Sequence, residues 1–241
     1  MRVGYLAVDH VAAHLRHIAG DYLDMFTALF AEHAPDLELV PHDVIGGEPL
    51  PAPDAYDAVL IPGSRHGVDE DTAGWVAALT DFVREADAAR TPLVGICFGH
   101  QLIAHALGGR VVRATNGWGV GVHEAQVVAH ETWMEPELDR FRLLVSHQDQ
   151  VALLPQGAEL LATSHHAPIA AFRRGHVLGL QGHPEFVPGY AEALMAERIE
   201  RIGPDVVETS RATLEQPTDH GVVARWIRRF LATTDADATR P

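Results

Sequence analysis

Cysteine is almost absent: Cys97 stands alone in 241 residues. A single thiol closes no internal disulfide and supplies no cysteine-based zinc site. Basic charge is scarce too, with 18 Lys+Arg against 33 Asp+Glu and a formal net charge of -15. That balance repels nucleic-acid backbones and anionic membrane surfaces, so neither is an expected partner. The densest basic stretch, "RWIRRF", has helical spacing and reads as a solvated helix face. Long apolar runs are also missing: nothing approaches the roughly 20 residues that cross a bilayer. Asp9 interrupts "MRVGYLAVDH" where a signal peptide would stay apolar, and the expected compartment is the cytoplasm, where a lone thiol stays reduced. Histidine is plentiful at 16, yet no pair shows the i, i+4 spacing with glutamate of a zinc-binding helix. "SHHAP" (His165, His166) reads as an exposed turn, and no metal site is expected.

With 47% hydrophobic residues the chain has enough apolar side chains for a soluble core, and one domain is expected over residues 1–241. "RVGYLAV" reads as a strand, and "DYLDMFTALFAEH" as a helix with apolar residues at helical intervals. "LELVPHDV", "YDAVLIPG", "TAGWVAALTDFVREADAA", "PLVGICF" and "HQLIAHALG" continue the order β-α-β-β-α-β-α. Such alternation predicts a mostly parallel central sheet with helices on both faces and ligands at the carboxyl ends of the strands. From about residue 110 the pieces become short and strand-like, "RVVRA", "GVHEAQVV", "FRLLVSH", "AELLATS", "PIAAFRR" and "HVLGLQGH", which predicts hairpins extending the sheet or a small antiparallel layer. The core is expected to span about 1–190 and C-terminal helices about 188–235, within "PGYAEALMAERIERI" and "HGVVARWIRRFLATT", with "DADATRP" as a frayed tail.

The lone cysteine sits in "TPLVGICFGHQLIAHALGG", a strand-turn-helix pattern in which Gly95 and Gly99 flank Cys97 at two residues on either side. This is the G-x-nucleophile-x-G spacing of a nucleophile elbow, where strand and helix backbones approach too closely for a Cβ. It places Cys97 at a helix N-terminus, where unpaired N–H groups and the helix dipole favour an anion, and aims the Phe98 amide where an oxyanion would form. The glycines alone leave two readings open, since a free cysteine is commonly a small buried hydrophobe. A cysteine nucleophile also needs a base and an acceptor to orient it. "LGLQGHPEF" offers both, with His183 past the end of the strand "HVLGL" and Glu185 two residues on. A loop histidine or a solvated carboxylate is ordinary alone; the pair at a strand end beside an elbow cysteine is much less so.

With Gly95-Ile96-Cys97-Phe98-Gly99-His100-Gln101 and His183-Pro184-Glu185, the chain resembles the class I glutamine amidotransferases, whose hallmarks are a G-x-C-x-G-x-Q elbow and a later H-P-E. "LIPGSRHGVDED" looks like that family's oxyanion loop, with Pro62-Gly63-Ser64-Arg65-His66 where many members have Gly-Gly-Pro, and "LLVSHQDQV" resembles its S-H-x-D-x-V segment. The wording of these segments is similar to stand-alone members related to the GMP synthase amidotransferase domain, a group that includes γ-glutamyl peptidases. The resemblance, from about residue 1 to 190, implies a flavodoxin-like three-layer fold without a cofactor. It further implies that Cys97 attacks the γ-carboxamide of glutamine or a γ-glutamyl amide to form a thioester. His183 would shuttle protons, Glu185 orient it, the amides of Gly63 and Phe98 hold the oxyanion, and Gln101, Ser146 and His147 line the glutamyl pocket. A glutaminase subunit delivering ammonia to a separate synthetase partner is the alternative, and a non-catalytic binding member of the fold a third. No G-x-x-x-x-G-K-[ST] or S-G-G-x-D-S motif occurs, so no ATP-using chemistry is expected of this chain.

Overall fold

The computed structural model describes residues 1–69 and 74–238. In chain order the elements are β1 (Arg2–Ala7), α1 (Arg16–Ala19), α2 (Tyr22–His33), β2 (Glu38–Asp43), β3 (Ala58–Ile61), α3 (Trp75–Ala88), β4 (Leu93–Ile96) and α4 (Phe98–Ala106). Then come β5 (Arg110–Arg113), β6 (Gly119–Val127), β7 (Arg140–His147), β8 (Asp149–Leu153), β9 (Glu159–Ser164), β10 (Ala171–Arg174) and β11 (Val177–Leu180). Four helices follow: α5 (Pro188–Glu197), α6 (Ile199–Ile202), α7 (Pro204–Arg211) and α8 (His220–Ala238).

Nine strands form one sheet in the order β2-β1-β3-β4-β11-β10-β9-β6-β7. The pairings from β2 to β11 are parallel, and those from β11 to β7 are antiparallel. The short central strands are apolar at every position because both faces are covered, yet the period of two still sorts their side chains. Val3, Tyr5, Leu60, Val94 and Ile96 join a cluster with Phe26 and Phe30 of α2 and Trp226, Ile227 and Phe230 of α8. Leu6, Val59, Ile61 and Leu93 join another with Leu79, Phe82 and Val83 of α3 and Leu102 and Ile103 of α4. The result is three layers, as expected.

The segments after residue 110 both extend the sheet and form a second one, β5 with β8. Several elements differ from expectation. "PGYAEALMAERIERI" is two helices, interrupted at Arg198 (φ -102°, ψ 14°). Strand β8 lies inside "SHQDQVALL", and α7 is polar enough that Val207 and Ser210 are its buried residues. Helix α8 runs four residues into the expected tail. Glu70 and Asp71 of the expected oxyanion loop, Thr72 and Ala73 of the expected helix and the last three residues of the expected tail lie outside the described residues. "RWIRRF" buries Trp226, Ile227 and Phe230, and its Arg228 and Arg229 pair with Asp36 and Glu135. No helix among the described residues is long and apolar enough to cross a membrane.

The elbow depends on close backbone approach. A Cβ at Gly99 would overlap the Ile61 carbonyl oxygen of β3 and lie 2.8 Å from its carbon, and one at Gly95 would lie 2.7 Å from the His100 amide nitrogen. Backbone cannot retreat as a flexible side chain can, so Gly99→Ala should destabilise the protein by about 3 kcal/mol, the upper end of overpacking costs. Urea unfolding measures this, and an unchanged midpoint would contradict the close packing of β3 on α4.

Candidate active site

Three neighbouring parallel strands, β3, β4 and β11, end at one edge of the sheet. Register pairs Leu180 with Ile96 and Ile61 with Gly95, so the residues just beyond each strand converge. The backbone then ties these ends together: Cys97 N–H donates to Leu180 O at 2.8 Å, Gly99 N–H to Pro62 O at 3.1 Å and His183 N–H to Leu144 O of β7 at 2.8 Å. Convergence of Cys97, His183 and the Gly63 loop therefore follows from strand order.

Cys97 has φ 51° and ψ -99° and caps α4. It and Arg90 are the two non-glycine residues with positive φ among the described residues. Such a backbone costs on the order of 1–3 kcal/mol and persists only where surroundings enforce it, as the elbow glycines do here. Cys97 is buried, so burial alone would not separate a nucleophile from a packing residue. Its neighbours do. The thiol lies close enough to His183 to push the pKa of the imidazole up, and His183 Nδ1 lies 2.7 Å from Glu185 Oε1. With Nδ1 engaged by the carboxylate, Nε2 is left for the sulfur.

The imidazole is held on every side. Phe186 stacks on it with ring centroids 3.8 Å apart and planes 12° apart, and Phe186 in turn meets Tyr190 edge-on at 4.9 Å. Tyr190 donates a hydrogen bond to Tyr22 at 2.9 Å, bracing that cluster against α2. A Cβ at Gly63 would lie 2.6 Å from His183 Cε1 and 3.6 Å from Cys97 Cβ. Only a glycine lets the 62–66 loop lie this close. Burial pulls the His183 pKa down, but the charges of Glu185 and Cys97 outweigh it and push the value up to about 10. The imidazole is thus built to carry a proton through neutral pH.

Of the remaining expected residues, Phe98 opens α4, so its amide belongs to the first-turn donors without an intrahelical acceptor. Its ring is buried against Trp75. Gln101 is buried and donates to Asp149 O at 2.7 Å and Gln181 Oε1 at 3.2 Å. Gln101, Ser146 and His147 line the same cleft as Cys97. Burial, reinforced by the neighbouring His166, lowers His147 to about 3, so it is a neutral ring rather than a competing proton acceptor. His166 corrects an expectation: His165 is exposed, but His166 is buried against the rings of His123 and His147.

Two contributors were not found by motif. Phe186 lies within "GHPEF", and an aromatic residue three positions after a histidine was its one signal. Asp9 is buried and latches the Gly63 loop: it accepts from Arg65 N at 2.8 Å and from Arg65 Nε at 2.9 and 3.0 Å. Ser64 adds a bond to Val8 O at 3.0 Å. A carboxylate directly after an apolar strand was the available sign. Chemically, the assembly can move a proton from thiol to imidazole beside two glycine-permitted backbone segments.

A buried strained cysteine thus lies beside a clamped imidazole and a carboxylate at the carboxyl edge of an α/β sheet. The chain belongs to the class I glutamine amidotransferase family, whose description, "Glutamine amidotransferase class-I", matches residues 22–200. It is therefore an enzyme of that class. Gamma-glutamyl peptidase 4 of Arabidopsis thaliana is 34% identical over 173 residues, 67% of each chain. GMP synthase [glutamine-hydrolyzing] of Thermomicrobium roseum is 36% identical over 170 residues, 68% of this chain and 30% of that one. Among solved structures, a glutamine amidotransferase from Thermotoga maritima superposes with a TM-score of 0.76 at 23% identity, covering 98% of both chains, and shows the same fold.

Asp9→Ala would leave the Arg65 amide and guanidinium without their acceptor, at a cost of about 1–3 kcal/mol. Urea unfolding should register that loss, and limited proteolysis should newly cut within residues 62–67. Unaltered resistance to protease would show that the loop does not depend on the latch.

Proposed function

We propose that this enzyme hydrolyses the γ-amide of glutamine or of a γ-glutamyl compound through a thioester on Cys97. The observation that supports this reading most is the clamped His183, bonded to Glu185 at 2.7 Å, facing the elbow thiol and charged through neutral pH. Cys97 Sγ attacks the γ-carbonyl carbon, and the amides of Phe98 and Gly63 receive the oxyanion. As the C–N bond breaks, His183 gives its proton to the leaving nitrogen, and ammonia or an amine departs. Water then attacks the thioester, His183 takes its proton, the C–S bond breaks and glutamate leaves. Glu185 holds the imidazole in one tautomer throughout. Gln101, Ser146 and His147 form the glutamyl pocket, and no cofactor enters the scheme. The relatives named γ-glutamyl peptidase support the substrate class.

Incubation with a mixed γ-glutamyl pool should leave a glutamyl adduct on Cys97, detected by mass spectrometry, and Cys97→Ala should lose all turnover. Hydrolysis of none of a broad panel, without adduct, would defeat the proposal in favour of a binding protein of the same fold. His183→Gln should slow alkylation of Cys97 by iodoacetamide at pH 7 by about tenfold or more, since the thiol loses its proton acceptor.

The same pair links stability to pH. The folded value of His183, about 10, lies above its ordinary 6.5. The protonated ring therefore contributes stability that is complete below pH 6.5 and is lost as pH rises toward 10. Cys97→Ala removes one of the charges that raise it, so urea unfolding of this variant should show an alkaline loss that is smaller and ends at lower pH. Identical profiles for both proteins would contradict the coupling.

Likeness to GMP synthase over 68% of this chain supports a second reading, a glutaminase subunit that passes ammonia to a separate synthetase. Glutaminase activity would then rise when a co-purifying synthetase is added back. Full activity alone, with no synthetase recovered, excludes this arrangement.

A further inference from the structure

The mouth of the Cys97 cleft runs against the charge of the chain. Acidic residues outnumber basic ones by 33 to 18, the sequence contains no lysine, and every basic residue is therefore an arginine. Around this cleft the balance inverts: Arg65, Arg113, Arg198 and Arg201 line it with Asp149 as the one carboxylate. Their commitments differ. Arg65 is fully engaged by Asp9 and the His10 carbonyl. Arg113 reaches Asp149 at 3.5 Å. Arg198 meets only Ser146 Oγ, at a long 3.4 Å, and Arg201 lies 5.4 Å over the Trp118 ring. Neither Arg198 nor Arg201 forms an ion pair with a carboxylate among the described residues, although acidic residues outnumber basic ones in the chain as a whole.

These two lie on the more exposed side of the glutamyl pocket, where Arg198 meets its Ser146. Gln101 and His147 are buried at the sheet edge, whereas Arg198 is half-buried at the break between α5 and α6 and Arg201 is exposed within α6. Glutamine would leave ammonia, which has no group to occupy this outer region. A substrate extended beyond the amide would reach it, and paired guanidinium groups recognise carboxylate by charge and by fork geometry. We propose that Arg198 and Arg201 form a carboxylate subsite for the part of the substrate beyond the scissile bond. The enzyme then prefers γ-glutamyl amides whose amine carries a free carboxylate, an amino acid or peptide, over glutamine and over neutral or cationic amines. This inference rests on the γ-glutamyl amide reading.

Calorimetric binding to Cys97→Ala protein tests the subsite without turnover, using γ-glutamylglycine and its carboxyl-capped form, γ-glutamylglycinamide. The free carboxylate should bind about tenfold more tightly, as a charge-assisted contact at a partly exposed site allows. Arg198→Met with Arg201→Met should bring the ratio of the two affinities to about one. A ratio near one before the arginines are changed overturns the proposal. So does a double variant in which both affinities fall by the same factor, which would assign the arginines to the α-carboxylate of the glutamyl moiety. Hydrolysis of γ-glutamylglycinamide by the unaltered enzyme judges the underlying reading separately: cleavage without charge preference overturns the subsite alone, and binding of neither peptide overturns both.

Discussion

The parallel pairing of β4 with β3 on one side and β11 on the other is the constraint on which the rest of the site depends. Parallel neighbours end at the same edge, so Gly63, Cys97 and His183 meet without any long-range loop search. Closing that edge requires Gly99 to lie on the Ile61 carbonyl and Gly95 to lie under the first turn of α4. Each added Cβ would strike backbone, so the two glycines are geometric requirements of the same pairing. The strained φ of Cys97 follows: the chain must reverse from β4 into α4 within one residue while still donating its amide to Leu180.

Around this frame, a second set of residues holds the Gly63 loop and the imidazole still. Asp9 fastens the Gly63 loop through Arg65, and Phe186, braced by Tyr190 and Tyr22, covers one face of His183. Neither touches the thiol. Their contribution is orientation: an imidazole free to rotate would exchange its bond to Glu185 for others, and a loose loop would let water between Gly63 and the ring.

Legibility in the sequence followed the range of the interactions. Cys97 with its glycines was readable because the elbow is set by five neighbouring residues, and His183 with Glu185 because both lie in one turn after an apolar strand. The first-half strands and helices were readable from periodicity for the same local reason. Asp9 was not, since its partner Arg65 lies 56 residues away. Phe186 acts through Tyr22 and Tyr190, and His166 is buried by rings from two other strands, which no local pattern announces. The break at Arg198 was invisible too, because its residues are good helix formers and the interruption comes from tertiary placement rather than from glycine or proline.

Electrostatics at His183 is a contest of large terms, and the winner decides what the site can do. Burial disfavours the charged ring strongly, yet Glu185 and Cys97 together overcome it and carry the value to about 10. Glu185 is fully buried, and its second oxygen, Oε2, has no hydrogen-bond partner among the described residues. A donor on Oε2 would stabilise the carboxylate independently of the imidazole and weaken its pull on the proton. The hydrogen bond that Glu185 does make runs to Nδ1, so its charge acts directly on the imidazole. The face of Phe186 adds a cation–π attraction of about 0.5–2 kcal/mol for the protonated ring and none comparable for the neutral one. Both features favour the same state, a charged imidazole beside the thiol, and both are lost together if the segment after β11 shifts out of register.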